Sequence, residues 1–250
     1  MAGRIYAFAN QKGGVGKTTT TVNLAACLAE AGERSLVIDL DPQANATSGL
    51  GMRANGTSSY DLLDGVPLDQ LAKQTAFPNL FLIPSKPELA GAAVELSRRE
   101  DGEGFLAESL SDTDGFDFVL LDCPPSLGPL TVNALAAADR VIVPVQAEYY
   151  ALEGLAQLMQ SINLIKVRLN PRLAVAGVLI TMSDSRTNLA AEVEREVRRH
   201  FGNLVFDTVV PRSVRLAEAP SHGLPVTHYD RRSSGAEAYW KVAMELVERS

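Results

Sequence analysis

The chain has 250 residues, 46% hydrophobic and 21% charged, with mean hydropathy +0.02 and two cysteines. That composition excludes a disordered chain, a collagen-like repeat and a disulfide miniprotein, and so few cysteines point to a reducing, cytoplasmic setting. Net charge is −7 but uneven: residues 1–185 carry 13 Lys and Arg against 21 Asp and Glu, and residues 186–250 carry 10 against 9, so nucleic-acid contact would require a local arginine cluster.

In chain order, Ile5–Ala9 is a first strand, too short for the apolar region of a signal peptide. Thr18–Ala31 has a helical period and is closed by Gly32, and Ser35–Leu40 is a second strand. Residues 42–116 are irregular, punctuated by Gly49, Gly51, Gly56, Gly65 and Pro67; with no linker around them they are an elaboration of one domain spanning 1–250. Leu80–Pro84, Phe118–Asp122, Arg140–Val145 and Ala174–Thr181 are further strands, Val/Ile/Leu-rich without polar alternation, as strands covered on both faces should be. Stripes at Leu152, Leu155, Met159, Ile162 and Leu169, at Leu189, Val193, Val197 and Phe201, and at Tyr239, Trp240, Ala243 and Val247 predict three helices packed on a core. No apolar run reaches the ~18 residues of a membrane helix. The alternation predicts an α/β fold: a single domain with a mostly parallel, doubly wound sheet flanked by helices.

The segment Lys12-Gly13-Gly14-Val15-Gly16-Lys17-Thr18-Thr19 follows a strand and opens a helix, the context a phosphate-binding loop needs. Its glycines allow backbone N–H groups to wrap a phosphate chain at a helix N-terminus. Lys17 then meets the β/γ-phosphates and Thr18 a Mg²⁺ ion. Gln11 stands where the usual loop has its first glycine, and Lys12 adds a second cation at the mouth, tolerable if an anion lies between the two lysines. Apolar strands ending in Asp39 and Asp122 supply carboxylates for Mg²⁺, partly through water, at the sheet edge where α/β proteins bind ligands. Asp41 is best placed to orient an attacking water.

Asn10–Thr21, Asp39–Leu50, Asp122–Leu127, Tyr149–Leu155, Arg186–Leu189 and Val209–Gly223, in this order and spacing, resemble the ParA/Soj group of deviant P-loop ATPases over nearly the whole chain. The resemblance implies a slow, partner-stimulated ATP hydrolase with ATP and Mg²⁺ as its ligands. It implies that Lys12 reaches the nucleotide of a partner subunit, that Gly13 lets two subunits approach, and that ATP closes a homodimer. It also implies that Pro211, Arg212 and Ser213 border the adenine, and that Arg186 and Arg215, within a candidate DNA-binding face at 186–232, contact the DNA backbone. Such a dimer would bind double-stranded DNA without sequence preference, associate with the nucleoid, and be released when a ParB-type centromere-binding protein stimulates hydrolysis. Ala44 departs from the family, which often carries Gly there. The P-loop begins within about ten residues of the N-terminus, so no helix-turn-helix domain is expected ahead of it.

Arg195, Arg198 and Arg199 alternate with Glu192, Glu194 and Glu196 and read as a solvated helix face. Cys27 sits inside a buried helix and Cys123 follows an aspartate, which disfavours a thiolate. His200, His222 and His228 lack metal spacing, and Ser126 lacks a nucleophile elbow. The alternative, a membrane-cycling ATPase of the MinD kind, would need a basic C-terminal helix, whereas Gly235–Ser250 holds Glu237, Glu245 and Glu248 against Lys241 and Arg249. A nitrogenase-type iron protein would need both cysteines at a cluster. A dethiobiotin synthetase-like ligase would have no use for Lys12, Arg186 or Arg215.

Overall fold

Neighbouring side chains of a strand point to opposite faces, so a strand apolar at every position must be covered twice. Ile5 and Ala7 pack into one core cluster while Tyr6 and Phe8 pack into another, and Leu36 and Ile38 are separated from Val37 in the same way. The computed structural model, which describes residues 3–99, 102–148 and 151–249, thus holds one sheet between two layers of helices. The strands are β1 (Arg4–Phe8), β2 (Ser35–Asp39), β3 (Lys73–Gln74), β4 (Leu80–Ile83), β5 (Phe118–Asp122), β6 (Arg140–Gln146) and β7 (Ala174–Thr181). Their order is β3-β4-β2-β5-β1-β6-β7, parallel except for β3 at the edge.

The longer helices are α1 (Lys17–Glu30), α2 (Leu89–Arg98), α3 (Pro129–Ala137), α4 (Ala151–Arg168), α5 (Asn188–Phe201) and α6 (Ser234–Glu248). α1 and α6 cover one face of the sheet with Leu24, Leu28, Tyr239 and Val242, and α2 to α5 cover the other with Leu96, Leu135, Leu158 and Val197. The sheet is therefore doubly wound. Around β1 the connections diverge: α1 leads to β2 on one side, while β5 passes through α3 to β6 on the other. Ligands of open α/β sheets bind at such a divergence, beyond the carboxyl ends of the strands.

The expected strands Phe118–Asp122 and Ala174–Thr181 appear with the bounds read from sequence, and Gly32 closes α1 with φ 102°. Three stripe positions depart from core packing. Leu189 in the first turn of α5 is 47% exposed, Val247 in the last turn of α6 is 49% exposed, and Leu169 lies beyond the end of α4. All three overshoot the sheet that the middle of each helix covers. Within 42–116 the backbone of Gly51 presses on that of Gly223: a Cβ on Gly223 would come within 2.6 Å of the Gly51 Cα. Both adopt positive φ, 69° and 67°. Of the expected segment Tyr149–Leu155, Tyr149 and Tyr150 lie outside the described residues.

Ala44 has φ 54°, the left-handed region where a Cβ is strained, immediately before the short helix Asn45–Gly49. Glycine would adopt this conformation freely, whereas alanine meets it under strain. Ala44→Gly should stabilise the chain by about 0.5–1 kcal/mol net of the extra entropy of glycine, raising Tm by about 1–4 °C in a thermal melt. A lowered Tm would show that Ala44 is relaxed.

Candidate functional site

Between Phe8 and Lys17 the chain must leave the sheet and enter a helix, and Gly14 (φ 76°) and Gly16 (φ 87°) make the turn. Gly16 caps α1 without a side chain, so the first amides of the helix have no capping acceptor and carry its partial positive charge. The loop is pinned from several directions. The Thr181 hydroxyl at the end of β7 donates to the Val15 carbonyl (2.8 Å), and Asn10 Nδ2 donates to the Pro144 carbonyl (2.7 Å) while its Oδ1 accepts the Lys12 N–H (3.0 Å). A cleft of about 420 Å³ opens over this loop, lined by Gly14, Lys17, Thr18, Asp41, Pro125 and Met182 among others.

The two lysines are placed differently. Lys17 is 6% exposed, and its Nζ reaches back to the Lys12 carbonyl at 3.4 Å. Burial lowers its pKa, opposed first by Asp122 and also by Asp41. Lys12 lies on the rim, its side chain 53% exposed, paired with the Glu148 carboxylate beyond β6. In this chain the anion beside Lys12 is thus Glu148.

Register brings the acids together. Asp39 at the end of β2 is the direct partner of Asp122 at the end of β5, which in turn pairs with Phe8 just ahead of the loop. Both are fully buried. Burial, and then proximity to Asp39, pushes the Asp122 carboxyl well above the usual range, against the Thr18 hydroxyl and Lys17. Burial also raises Asp39, to about 6, against the hydrogen bonds from Thr47 and Asp41.

The two carboxylates are not equivalent. Asp122 Oδ1 accepts from Thr21 Oγ1 at 3.3 Å, while its Oδ2 is buried with no hydrogen-bond partner. Asp39 Oδ2 already accepts the Thr47 N–H (2.8 Å) and hydroxyl (2.7 Å), and Oδ1 accepts the Asp41 N–H (3.1 Å). Its oxygens thus hold the loop that follows β2. An orphaned carboxylate oxygen with the Thr18 hydroxyl close by suits Mg²⁺, a hard cation that takes few protein oxygens and completes its shell with water and phosphate. No cluster of three or more His, Cys, Asp or Glu able to hold a metal lies among the described residues. Asp41 lines the cleft, 7% exposed, and its Oδ1 accepts the Gln43 N–H at 2.9 Å. Cys27 and Cys123 are buried free thiols with raised pKa, burial being the main cause, so neither is a nucleophile.

A second cleft of about 390 Å³ shares Gly16, Thr19 and Met182 with the first and is walled by Pro211, Arg212 and Ser213. Those residues reach the site because β7 continues into a bridge between Ser183 and Pro211, with the Arg212 N–H donating to the Ser183 carbonyl at 2.9 Å. The adjoining loop carries Arg186, whose exposed guanidinium forks onto Asp184 at 2.8 and 2.6 Å. Arg215, on the short helix Val214–Glu218, pairs with Glu218 (2.9 Å) and Asp230 (3.2 Å). Arg198 is tied to Glu194 and to the Phe206 and Asp207 carbonyls, and Arg199 to Glu196, as a solvated helix face should be. Thr21, Thr47, Thr181 and Glu148 escaped the sequence reading. Only Thr21, one turn of helix after Thr18, left a signal there.

A protein-family model described as an AAA domain matches residues 3–175. The chromosome-partitioning ATPase Soj of Thermus thermophilus is 54% identical over 246 residues, covering 98% of this chain and 96% of that protein. The sporulation initiation inhibitor protein Soj of Bacillus subtilis is 51% identical over 249 residues, covering 98% of each. A crystal structure of cobyrinic acid a,c-diamide synthase from Mycobacterium smegmatis, with bound ATP analogue and magnesium, superposes with a TM-score of 0.86 at 37% identity, over 99% of this chain and 95% of that one.

Two buried carboxylates and Asp41 face the single buried ammonium of Lys17, an excess of negative charge. A carboxyl whose folded pKa is raised binds more protons folded than unfolded, so its contribution to stability falls as pH rises through that window. Asp122→Asn removes the charge and leaves Lys17 still countered. Without metal, at pH 7, it should raise stability by about 1–2 kcal/mol, a gain that shrinks towards pH 4. Melts in EDTA test this, and a lower Tm at pH 7 would contradict it.

Proposed function

The chain belongs to the Soj/ParA family of chromosome-partitioning ATPases, and from that footing we propose that it is an ATP-driven DNA-partitioning switch. ATP with Mg²⁺ occupies the cleft over the loop at residues 12–19 and closes two copies face to face. The closed pair binds double-stranded DNA without sequence preference, holding the protein on the nucleoid. A ParB-type centromere-binding protein stimulates slow hydrolysis, and the pair separates and lets go. One observation carries this reading: the same loop buries Lys17 beneath the phosphate cradle and turns Lys12 outward to the rim, where a second subunit can be met.

Lys17 and the first amides of α1 bind the β- and γ-phosphates, and Gly13 leaves the loop's outer surface bare for a partner. Thr18 and Asp122 would hold Mg²⁺, which would supply positive charge to neutralise the phosphates. Asp41, presented at the cleft by the loop after β2, orients the water in line with the γ-phosphorus. The new bond is from the water oxygen to phosphorus, the broken one runs to the β–γ bridging oxygen, and orientation matters more than basicity for a loose transition state. Pro211, Arg212 and Ser213 border the base in the adjoining cleft. Lys12 must exchange Glu148 for the partner's phosphates, a feasible exchange because a half-exposed ion pair is worth only about 0–1 kcal/mol.

Arg186 and Arg215 contact DNA phosphates after exchanging their own surface carboxylates. Two arginines per chain bind weakly, and four aligned in a dimer bind as one site, which makes DNA affinity a readout of the ATP state. α6 gives no support to membrane cycling of the MinD kind. Lys241 pairs with Glu237 and Arg249 with Glu245, and no helix among the described residues is long and apolar enough to cross a membrane.

Lys17→Ala should weaken ATP binding at least about 30-fold, read by fluorescent-nucleotide titration, since a charged hydrogen-bond donor to phosphate is lost. Asp41→Ala should bind ATP yet turn over on the order of 100-fold more slowly, accumulating as a DNA-bound dimer in light scattering and gel shifts. A saturated Asp41→Ala chain that stays monomeric would overturn the proposal. Arg186→Ala with Arg215→Ala should keep ATP-dependent dimerisation and reduce the slope of log K against log salt by about 3–4, the share of four phosphate contacts per dimer.

A further inference from the structure

Asp41 carries the proposed hydrolytic role, but nothing in its own side-chain environment fixes it. Its Oδ1 accepts only the Gln43 amide, and the residue lies just past the last paired residue of β2. Its backbone is held at both ends: Asp39 Oδ1 accepts the Asp41 N–H at 3.1 Å, and the Asp41 carbonyl accepts the Ala44 N–H at 2.9 Å. Asp39 is in turn held by one residue, Thr47 on the short helix Asn45–Gly49, which gives both its amide and its hydroxyl to Oδ2. The same hydroxyl accepts the Ser85 N–H at 2.9 Å, from the chain leaving β4. Thr47 is 3% exposed.

A hydroxyl that donates to one group and accepts from another has its rotor fixed, so both partners are located by it. Here the ring of contacts runs from the end of β4 through Thr47 and Asp39 to the backbone of Asp41. We propose that Thr47 is a positioning residue for ATP hydrolysis, holding Asp41 at the γ-phosphate through Asp39. The inference rests on the role given above to Asp41. Valine matches threonine in shape but cannot hydrogen-bond. It would leave Asp39 Oδ2 with one donor and strand the buried Ser85 amide. Serine restores both bonds.

Thr47 is remote from the phosphate cradle: the first cleft is lined by its neighbours Asn45, Ser48 and Gly49 and not by Thr47 itself. Its loss should therefore act on turnover and spare binding. A misplacement of about 1 Å can cost about 100-fold in rate, so Thr47→Val should lower kcat about tenfold while ATP affinity stays within about twofold of the parent. Thr47→Ser should recover kcat to within about threefold. Should Thr47→Val fail to fold, Thr47→Ala also keeps the amide bond to Asp39 and removes the hydroxyl together with the γ-methyl.

Steady-state ATPase and nucleotide titration of the full chain, with Asp41→Ala as control, decide the matter. A kcat unchanged in Thr47→Val, or a Thr47→Ser chain as slow as Thr47→Val, overturns the positioning role while a slow Asp41→Ala leaves the proposed function standing. Normal turnover in Asp41→Ala overturns both. A loss of ATP affinity equal to the loss of kcat would assign Thr47 to binding and overturn the inference as well.

Discussion

Two parallel strands that end side by side in aspartates set the terms for everything around the site. The register Asp39–Asp122 puts both carboxyls into the interior at one sheet edge, where neither can be ionised at low cost. The surroundings answer with donors: Thr47 twice and the Asp41 amide on Asp39, Thr21 and Thr18 on Asp122, and the ammonium of Lys17. One oxygen, Asp122 Oδ2, is left without a partner. Such a residue of unmet negative charge under a ring of helix amides is a poor way to build a core, and a good way to build a place for a cation and an anion bound together.

The same edge brings together parts far apart in the chain. The loop of residues 12–19 touches β7 through Thr181 and faces the segment at 210–213, which hydrogen-bonds to Ser183. Arg186 follows that bridge by three residues and Arg215 follows Ser213 by two, so the arginine-bearing face grows out of one wall of the cleft. Asp184, Glu218 and Asp230, the carboxylates that hold these two arginines, leave little net charge around them.

Much of this was legible in sequence because it is local. The phosphate loop, its glycines and the strand-ending aspartates are read from contiguous residues, and Val/Ile/Leu runs without alternation mark strands covered on both faces. What escaped is what only folding juxtaposes. Glu148 meets Lys12 across 136 residues, and Thr47 meets Asp39 because a short helix swings its hydroxyl back over the strand end. That contact makes Asp39 a brace for the loop after β2. β3, two residues long, has no period to read; it exists because Gln74 and Thr75 bond back to the Leu80 carbonyl at the sheet's edge. The exposed Leu189 and Val247 follow the helical period but lie beyond the sheet the period serves.

The contact between Gly51 and Gly223 joins two segments far apart in sequence: one descends from Asp41, the other from Arg215. With a Cβ on Gly223 blocked at 2.6 Å and positive φ on both sides, the backbones touch with no cushion of side chain. A bare joint of this sort transmits a push without slack, and any residue with a side chain on either half must first wedge the two apart. Drift at these two positions is therefore closed from both sides at once.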